Sequence, residues 1–429
     1  MSSSTVRFVA LIAWMSVLPM IAHAADDWRV RSTSLAADYW FGVETDSTSL
    51  ALNRFTVLAD TRIDMPGRWQ FDGALRLEYA DAGTGLGSRD TYSRLSRPAV
   101  SGDARVEIDR TVVTWRRRGT VLTLGKQAIA WGVLDGIQVT DRFAATRRRD
   151  AVFSPQRPER LTRWGARLKF RRGDWRWDLA VTPDDTAGQF ANPGDTFFPQ
   201  APRLRGGIPP GAALPPLTVR RSGQATWGVR TERTIGNGDF GVVAIHGPDT
   251  EPVFELDGTN VAVTYRERTL IGATWQHTSG ERVWRMEAAY IDAQPVNALQ
   301  SGLPVVVETG RWLAGAGLDW RTTSGIFINA QIGADYLTDA SEALVRRELD
   351  VLTTLRAHKD FANDTLRIST EWLQSLTDGD TIVRPSLAWQ ATDRVSVSAG
   401  YDWIDGDPNG LLGQFEAASR VWLRFTLDF

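Results

Sequence analysis

The last nine residues, Val-Trp-Leu-Arg-Phe-Thr-Leu-Asp-Phe at 421–429, alternate without a break. Val421, Leu423, Phe425, Leu427 and Phe429 fall on one face, and Trp422, Arg424, Thr426 and Asp428 on the other. A period of two is the signature of a half-buried strand. The same alternation recurs upstream. Trp69, Phe71, Leu75, Leu77 and Tyr79 oppose Gln70, Asp72, Arg76 and Glu78, and Trp312, Ala314, Ala316, Leu318 and Trp320 oppose Arg311, Asp319 and Arg321. Ile326, Ile328, Ala330, Ile332 and Tyr336 oppose Asn329, Gln331 and Asp335, and Val395, Val397, Ala399, Tyr401 and Trp403 oppose Ser396, Ser398 and Asp402. These stretches run about 10–12 residues, the length a tilted strand needs to cross a bilayer. Their Trp and Tyr residues gather near the ends, where an interfacial girdle lies. A soluble sandwich also alternates, but with its apolar residues turned inward.

Composition narrows the choice. The 429 residues are 42% hydrophobic and contain no cysteine, which excludes a disulfide scaffold and thiolate metal sites. Eighteen tryptophans argue against disorder. A formal charge of −2 gives no basic field for nucleic acid. The only long apolar run is Phe8–Ile21, preceded by Arg7 and followed by Ala22-His23-Ala24. That arrangement reads as a secretory signal over 1–24, cleaved on export, with one domain over 25–429.

Turn residues organise the rest. Short connections fall at Met65-Pro66-Gly67, Arg118-Gly119, Arg172-Gly173-Asp174, Gly236-Asn237-Gly238-Asp239, Ser279-Gly280, Ser324-Gly325, Ala362-Asn363-Asp364 and Thr392-Asp393. Gly, Asn and Asp supply the positive φ of tight hairpins. Long connections fall at 44–49, 80–103, 131–161, 184–222, 248–268, 293–308, 338–346, 377–380 and 405–418. Alternation of short and long is the rule of an outer-membrane barrel with tight periplasmic turns and longer external loops. The reading is an all-β, antiparallel, up-and-down transmembrane barrel of about 18 strands, 16 being the alternative. The strands are placed at 34–43, 50–63, 68–79, 104–117, 120–130, 162–171, 174–183, 223–234 and 239–247. The remainder are placed at 269–278, 281–292, 309–322, 326–337, 347–358, 365–376, 381–390, 394–404 and 419–429. Thr259–Tyr265 is strand-like but would make the count odd, so it is assigned to an external excursion.

A barrel this wide holds water or a plug. Its lumen-facing cations include Arg54, Arg76, Arg105, Arg163, Arg167, Lys169, Arg176, Arg285, Arg311, Arg356, Arg367 and Arg384. Facing acids include Asp72, Glu78, Glu107, Asp109, Asp178, Glu287, Asp319, Asp335, Glu371 and Asp402. Two readings stay open: a cross-strand salt-bridge lattice that stiffens a hydrated wall, or an arginine ladder that escorts an anionic or hydroxyl-rich solute. Residues 184–222 carry Pro193, Pro199, Pro202, Pro209, Pro210, Pro215 and Pro216 with Phe190, Phe197 and Phe198, a composition for either a stiff lid or an outward loop. Residues 141–163 hold Asp141, Arg142, Arg147, Arg148, Arg149, Asp150, Arg157, Arg160 and Arg163. They read either as a basic mouth or as a rim binding lipopolysaccharide phosphates.

Residues 124–141 read L-G-K-Q-A-I-A-W-G-V-L-D-G-I-Q-V-T-D. Gly125, Lys126 and Gln127 close a strand; Trp131-Gly132, Asp135-Gly136 and Asp141 follow. The segment resembles one in alginate-export-type outer-membrane channels and their porin-like relatives, where G-[RK]-Q-x-x-x-W-G leads into a long loop. That resemblance implies an 18-stranded monomeric barrel of a Gram-negative outer membrane, some relatives carrying anionic polysaccharide through an arginine-lined lumen. The terminal Phe425, Leu427 and Phe429 also resemble the signal read by the barrel-insertion machinery.

The function that follows is a channel for small or polymeric solutes. Its surroundings would be the lipid bilayer and lipopolysaccharide, with no nucleic-acid partner. The alternatives are an envelope barrel serving an efflux or lipid-transport system, and a barrel enzyme. After signal removal only His246, His277 and His358 remain, in no Ser-His-Asp arrangement and with no paired-histidine metal spacing. No catalytic residue, metal or cofactor is expected.

Overall fold

The computed structural model describes residues 28–47, 50–82, 85–150, 159–212, 217–258, 260–338 and 343–429. The signal segment 1–24 lies outside them, as do Arg157, Pro215 and Pro216. Eighteen antiparallel strands close into a barrel. They are β1 (Arg29–Glu44), β2 (Leu50–Met65), β3 (Trp69–Ala82), β4 (Ala104–Arg117), β5 (Thr120–Gln127) and β6 (Arg163–Arg172). Next come β7 (Trp175–Thr182), β8 (Thr226–Ile235), β9 (Gly238–Pro248), β10 (Glu267–Ser279), β11 (Arg282–Gln300) and β12 (Leu303–Arg321). The last six are β13 (Phe327–Leu337), β14 (Leu349–Phe361), β15 (Leu366–Ser375), β16 (Thr381–Gln390), β17 (Val395–Asp405) and β18 (Arg420–Asp428). Closure comes from β1, which pairs with β2 on one side and with β18 on the other, from Ala36↔Asp428 to Glu44↔Arg420. No sheet edge is then left unpaired in the bilayer.

The period-two pattern explains which side is which. Ile271, Trp312, Ile332, Trp389 and Leu423 are exposed although large and apolar. Four of them have buried strand neighbours, Leu270, Arg311, Gln331 and Trp422. Apolar side chains therefore point away from the barrel axis, toward lipid. Tyr79, Trp227, Trp312, Tyr336 and Trp403 mark one end of the outer face, and Trp69, Trp115, Trp175, Trp320 and Trp389 the other. These are the two interfacial girdles.

Strand ends elsewhere shift by up to three residues from the sequence pattern, as at Ala82, Gln127, Thr226 and Phe361, and two places depart further. The stretch 293–308 is not an external loop. β11 and β12 run on to Gln300 and Leu303 and meet at Ser301-Gly302, whose φ values are 52° and 78°. A bulge between Ile291 and Gln294 separates the barrel portion from this extension. Pro295 and Pro304 read as strand breakers, but a two-stranded ribbon rising past the wall has open edges, where a missing N–H is tolerated. β1 likewise begins at Arg29 rather than near 34, because Arg31, Ser32 and Thr33 give no apolar alternation to read.

Asn260–Thr264 lies outside the barrel wall. It pairs antiparallel with Val253–Asp257 and parallel with Leu217–Arg220, forming a three-stranded sheet among the long loops. Among the described residues no helix is long and apolar enough to cross a membrane.

Candidate functional site

The long loop after β5 folds into the barrel. Gly125 has φ 125°, and a side chain there would collide with the carbonyl oxygen of Thr111 on β4, so only glycine allows this exit. Lys126 is buried, and its Nζ donates to the Ile108 carbonyl at 2.5 Å and lies 3.8 Å from Glu107. Gln127 pairs with Arg163 across β5 and β6. Ile129, Trp131, Leu134, Val139 and Phe143 then pack on the inner wall against Ala180, Val243, Ile245, Leu270, Ala289, Ile291 and Leu313. The wall makes room with glycine. A Cβ on Gly315 or Gly333 would stand 2.5 Å from Leu134 or Ile137. One on Gly228 would stand 2.7 Å from the Trp131 ring.

Polar bonds fix this seat. Trp131 is fully buried; its Nε1 donates to Asp178 at 3.0 Å and its backbone N–H to Asp141 at 3.1 Å. Glu287 on β11 accepts the N–H groups of Val133, Leu134 and Thr140 and the Thr140 hydroxyl. Gln331 accepts from Gly136 at 3.2 Å. Gly132 leaves no room for a side chain between Asp141 and Glu287. Asp135 lies 3.5 Å from Arg285.

Beyond Phe143 the loop passes to another part of the wall. Thr146–Arg148 pairs with Glu159–Arg160 and with Gln189–Phe190 of the next long loop. Arg147 reaches Glu107 and Glu159, Arg149 reaches Glu78, and Asp150 accepts from Arg420 on β18 at 3.1 Å. Burial alone would raise the Glu159 carboxyl, but Arg147, Arg76 and Arg149 together hold it down at about 2. Glu251, in the loop after β9, is likewise held well below the usual range against its burial, by Arg311, Arg142 and Arg148.

The proline-rich loop 184–222 crosses toward the far side. Phe197 and Phe198 pack with Ile382 on β16, Ile404 on β17 and Leu412 and Phe415 of the last loop. Arg203 joins Asp350 at 2.6 Å and Asp378 at 2.8 Å.

Most of the sequence-derived cations have acid partners. Arg54 approaches Glu78 (3.8 Å), Arg76 pairs with Glu159 (2.7 Å) and Asp109 (3.3 Å), and Arg105 with Glu78 (2.5 Å). Arg167 grips Asp178, Arg176 reaches Glu232 and Asp239, and Arg285 reaches Asp319. Arg311 pairs with Asp335 and Glu251, Arg356 approaches Glu371 (3.7 Å), and Arg367 takes Asp360 in a two-bonded grip. Arg384 joins Asp402 at 2.6 Å. Two cations differ. Arg163 donates to the Phe143 carbonyl and to Thr226, so it holds the loop. Lys169 is exposed and has no ion pair within 4.0 Å among the described residues.

On β6 and β2 the exposure of inward-facing groups grades along the strand. On β6, Arg163 at the outer end is 5% exposed, the Arg167 side chain 17%, and Lys169 is exposed. On β2 the side chain of Arg54 is 11% exposed and that of Arg62, nearer the periplasmic turn, 50%. Loops thus cover the inward groups of these strands at their outer ends, and those nearer the short turns open into a vestibule, while Asp72 and Asn329 at that level are covered by their wall neighbours Arg62, Asp319 and Gln331.

One feature of that vestibule has only a weak trace in sequence. Trp40 on β1 and Trp422 on β18 face inward with ring centroids 5.3 Å apart. The Arg424 guanidinium lies 4.7 Å over Trp40, and its Nε donates to Asp38 at 2.8 Å. Neither Nη atom of Arg424 has a hydrogen-bond partner among the described residues. The polar-face position of Trp422 in the terminal alternation was the available signal. The role of Glu287 and the glycine seat was legible only as glycines at alternate inward places of β12.

The three histidines stand apart. His246 bonds Thr269, His277 stacks on Trp275, and His358 packs against Phe327. Among the described residues no group of three His, Asp or Glu is placed to hold a metal.

No sequence family and no curated protein matches the chain. Solved structures do. OccK8 (OprE) of Pseudomonas aeruginosa is 10% identical, with a TM-score of 0.52 over 92% of this chain and 97% of that one. OccAB1 of Acinetobacter baumannii is 10% identical, with a TM-score of 0.51 over 94% and 96%. A BenF-like porin from Pseudomonas fluorescens Pf-5 is 10% identical, with a TM-score of 0.50 over 94% and 98%. At such identities what is shared is the fold, and it is that of outer-membrane β-barrel porins.

Proposed function

We propose that this protein is an outer-membrane channel of a Gram-negative envelope, exported with a cleaved signal over 1–24 and inserted as a monomer. The insertion machinery would read Phe425, Leu427 and Phe429. Bilayer lipid and lipopolysaccharide would surround it. Within the porin fold, a kinship to alginate-export-type channels rests on the Gly125-Lys126-Gln127 and Trp131-Gly132 segment.

The observation that carries this reading is the graded exposure of the inner wall along β2 and β6. A barrel filled throughout would be a scaffold, whereas a barrel open on one side and narrowed by tethered loops on the other is built to restrict passage. The solute we assign is small or polymeric, anionic or hydroxyl-rich. Support for that class comes from Lys169, which is exposed and in no ion-pair contact although Asp178 stands opposite it on β7, and from Arg424, which engages Asp38 through Nε and leaves both Nη groups without a partner among the described residues, a fork suited to a carboxylate. The paired arginines contribute mainly a stiff lattice, since each charge is met by a neighbouring acid.

Reconstitution in planar bilayers tests the channel: folded, heat-modifiable protein should conduct ions. Silent membranes would contradict it. Liposome swelling with uronates, neutral sugars, fatty acids and aromatic acids tests the solute class, and uronates and sugars should enter fastest. Preference for fatty acids would overturn the assignment.

A further inference from the structure

The loop between β3 and β4 straddles the barrel rim. On the inner side Tyr92 is buried, and its hydroxyl meets Glu107 at 3.3 Å and Arg147 at 3.1 Å. Three residues later the chain is on the outer side. Trp164 alternates with the inward Arg163 and Gly165, so its indole faces lipid, and its Nε1 donates to the Leu95 carbonyl at 3.0 Å.

Residues 93–96 form a tight turn closed by the Ser96 N–H on the Ser93 carbonyl at 3.2 Å. Both feet are pinned: Ser93 N–H donates to the Thr186 hydroxyl at 3.0 Å, and the Ser96 hydroxyl donates to buried Asp184. The tip residues, Arg94 and Leu95, are exposed, Leu95 at 63%. Arg94 has no hydrogen bond or ion pair among the described residues, whereas the adjacent Arg97 shares its charge with Asp90. Leu124 on β5 and Val181 on β7 are exposed apolar residues of the outer wall that flank Ala166, the next outward residue after Trp164.

A rigid turn has no intramolecular reason to expose a leucine and an unpaired guanidinium together. At the junction of an apolar belt with the external face, that pair matches a lipid whose acyl region ends in an anionic group. We propose that the Arg94-Leu95 turn is a docking site for a phosphorylated lipid of the outer leaflet. Leu95 would lie against the acyl chains beside Trp164, and Arg94 would pair with a headgroup phosphate. The proposal does not depend on what the lumen carries.

The test uses the full chain folded in detergent, with native mass spectrometry counting bound lipid. The probes are diphosphoryl lipid A, the same lipid with its phosphates removed, and inorganic phosphate as competitor. Heat-modifiable migration checks the fold of each variant. Wild type should retain diphosphoryl lipid A in preference to the dephosphorylated form. Arg94→Gln should weaken retention about fivefold, the factor one surface guanidinium contributes toward an anionic leaflet. Leu95→Ser should weaken both lipids alike. Retention unchanged in Arg94→Gln, equal binding of the dephosphorylated lipid, or complete displacement by millimolar inorganic phosphate would each overturn the proposal.

Discussion

Trp131 and Asp178 meet inside the barrel, although 47 residues separate them in the chain: the indole Nε1 donates to the carboxylate at 3.0 Å. The same carboxylate receives Arg167 from the neighbouring strand. One wall acid thus ties the inward loop to the lattice. Trp131→Ala removes both the bond and the largest fully buried side chain. A loss of about 3–5 kcal/mol in loop docking is the usual scale for such a truncation. Single-channel conductance should rise and become noisy, while Trp131→Phe, which keeps most of the packing, should stay nearer wild type. Identical traces for both variants would place the loop outside the conducting path.

Glu287 gives a second handle on the same loop. Its carboxylate takes two backbone bonds at 2.7–2.8 Å, a third from Val133 and the Thr140 hydroxyl at 2.7 Å. In Glu287→Ala these donors lose their acceptor, at roughly 1–3 kcal/mol for each buried group. Limited proteolysis should then cut after Arg142, Arg147 or Arg149 far faster than in wild type. Unchanged cleavage rates would mean that packing alone seats the loop.

Acid should loosen the outer plug in a defined window. Glu159 sits at about 2 when folded, against 4.5 when free. A carboxyl lowered on folding stabilises fully above its free value, and that contribution is lost as pH falls toward the folded value. Pairing of Thr146–Arg148 with Glu159–Arg160 should therefore be level from pH 7 to 5 and weaken between about 4.5 and 2. The Glu159 side chain is 40% exposed, so salt should weaken the same attraction. Conductance measured at pH 6, 4 and 3 checks this, with Glu159→Gln giving a flatter profile. A wild-type profile that the substitution leaves unaltered would assign the response to other groups.

Charge selection is assigned to few residues. Lys169→Gln with Arg424→Gln should lower anion preference, read as a shift of the reversal potential in a salt gradient. Arg163→Ala with Arg167→Ala should act differently, since Arg163 holds the Phe143 carbonyl and Arg167 is neutralised by Asp178. The second pair should alter conductance more than selectivity. A larger selectivity change in the second pair would reverse the assignment.

The barrel was legible because lipid imposes its period on each strand. Ala104–Arg117 and Thr381–Gln390 end where their alternation and turn residues end, so pattern and structure coincide there. The pattern failed where that constraint stops. The β11–β12 extension beyond the bulge and the polar start of β1 obey no lipid-facing rule. Asn260–Thr264 is strand-like in composition and does form a strand, and only the parity of the count kept it from the wall. The inward loop was visible as a motif but not as a position. Whether Trp131 turns to the lumen depends on Asp178, Glu287 and Gly315, which lie on three separate strands. Spacing within the loop carries no trace of them.

In the channel proposed above, polar side chains face an aqueous interior while apolar ones face lipid. The chain has no cysteine, so single substitutions can report each face cleanly. In liposomes, a water-soluble, membrane-impermeant thiol reagent should modify Lys169→Cys and Ser398→Cys rapidly and leave Ile271→Cys and Leu387→Cys untouched. Rapid modification of the Ile271 and Leu387 variants, with Lys169 and Ser398 protected, would contradict it.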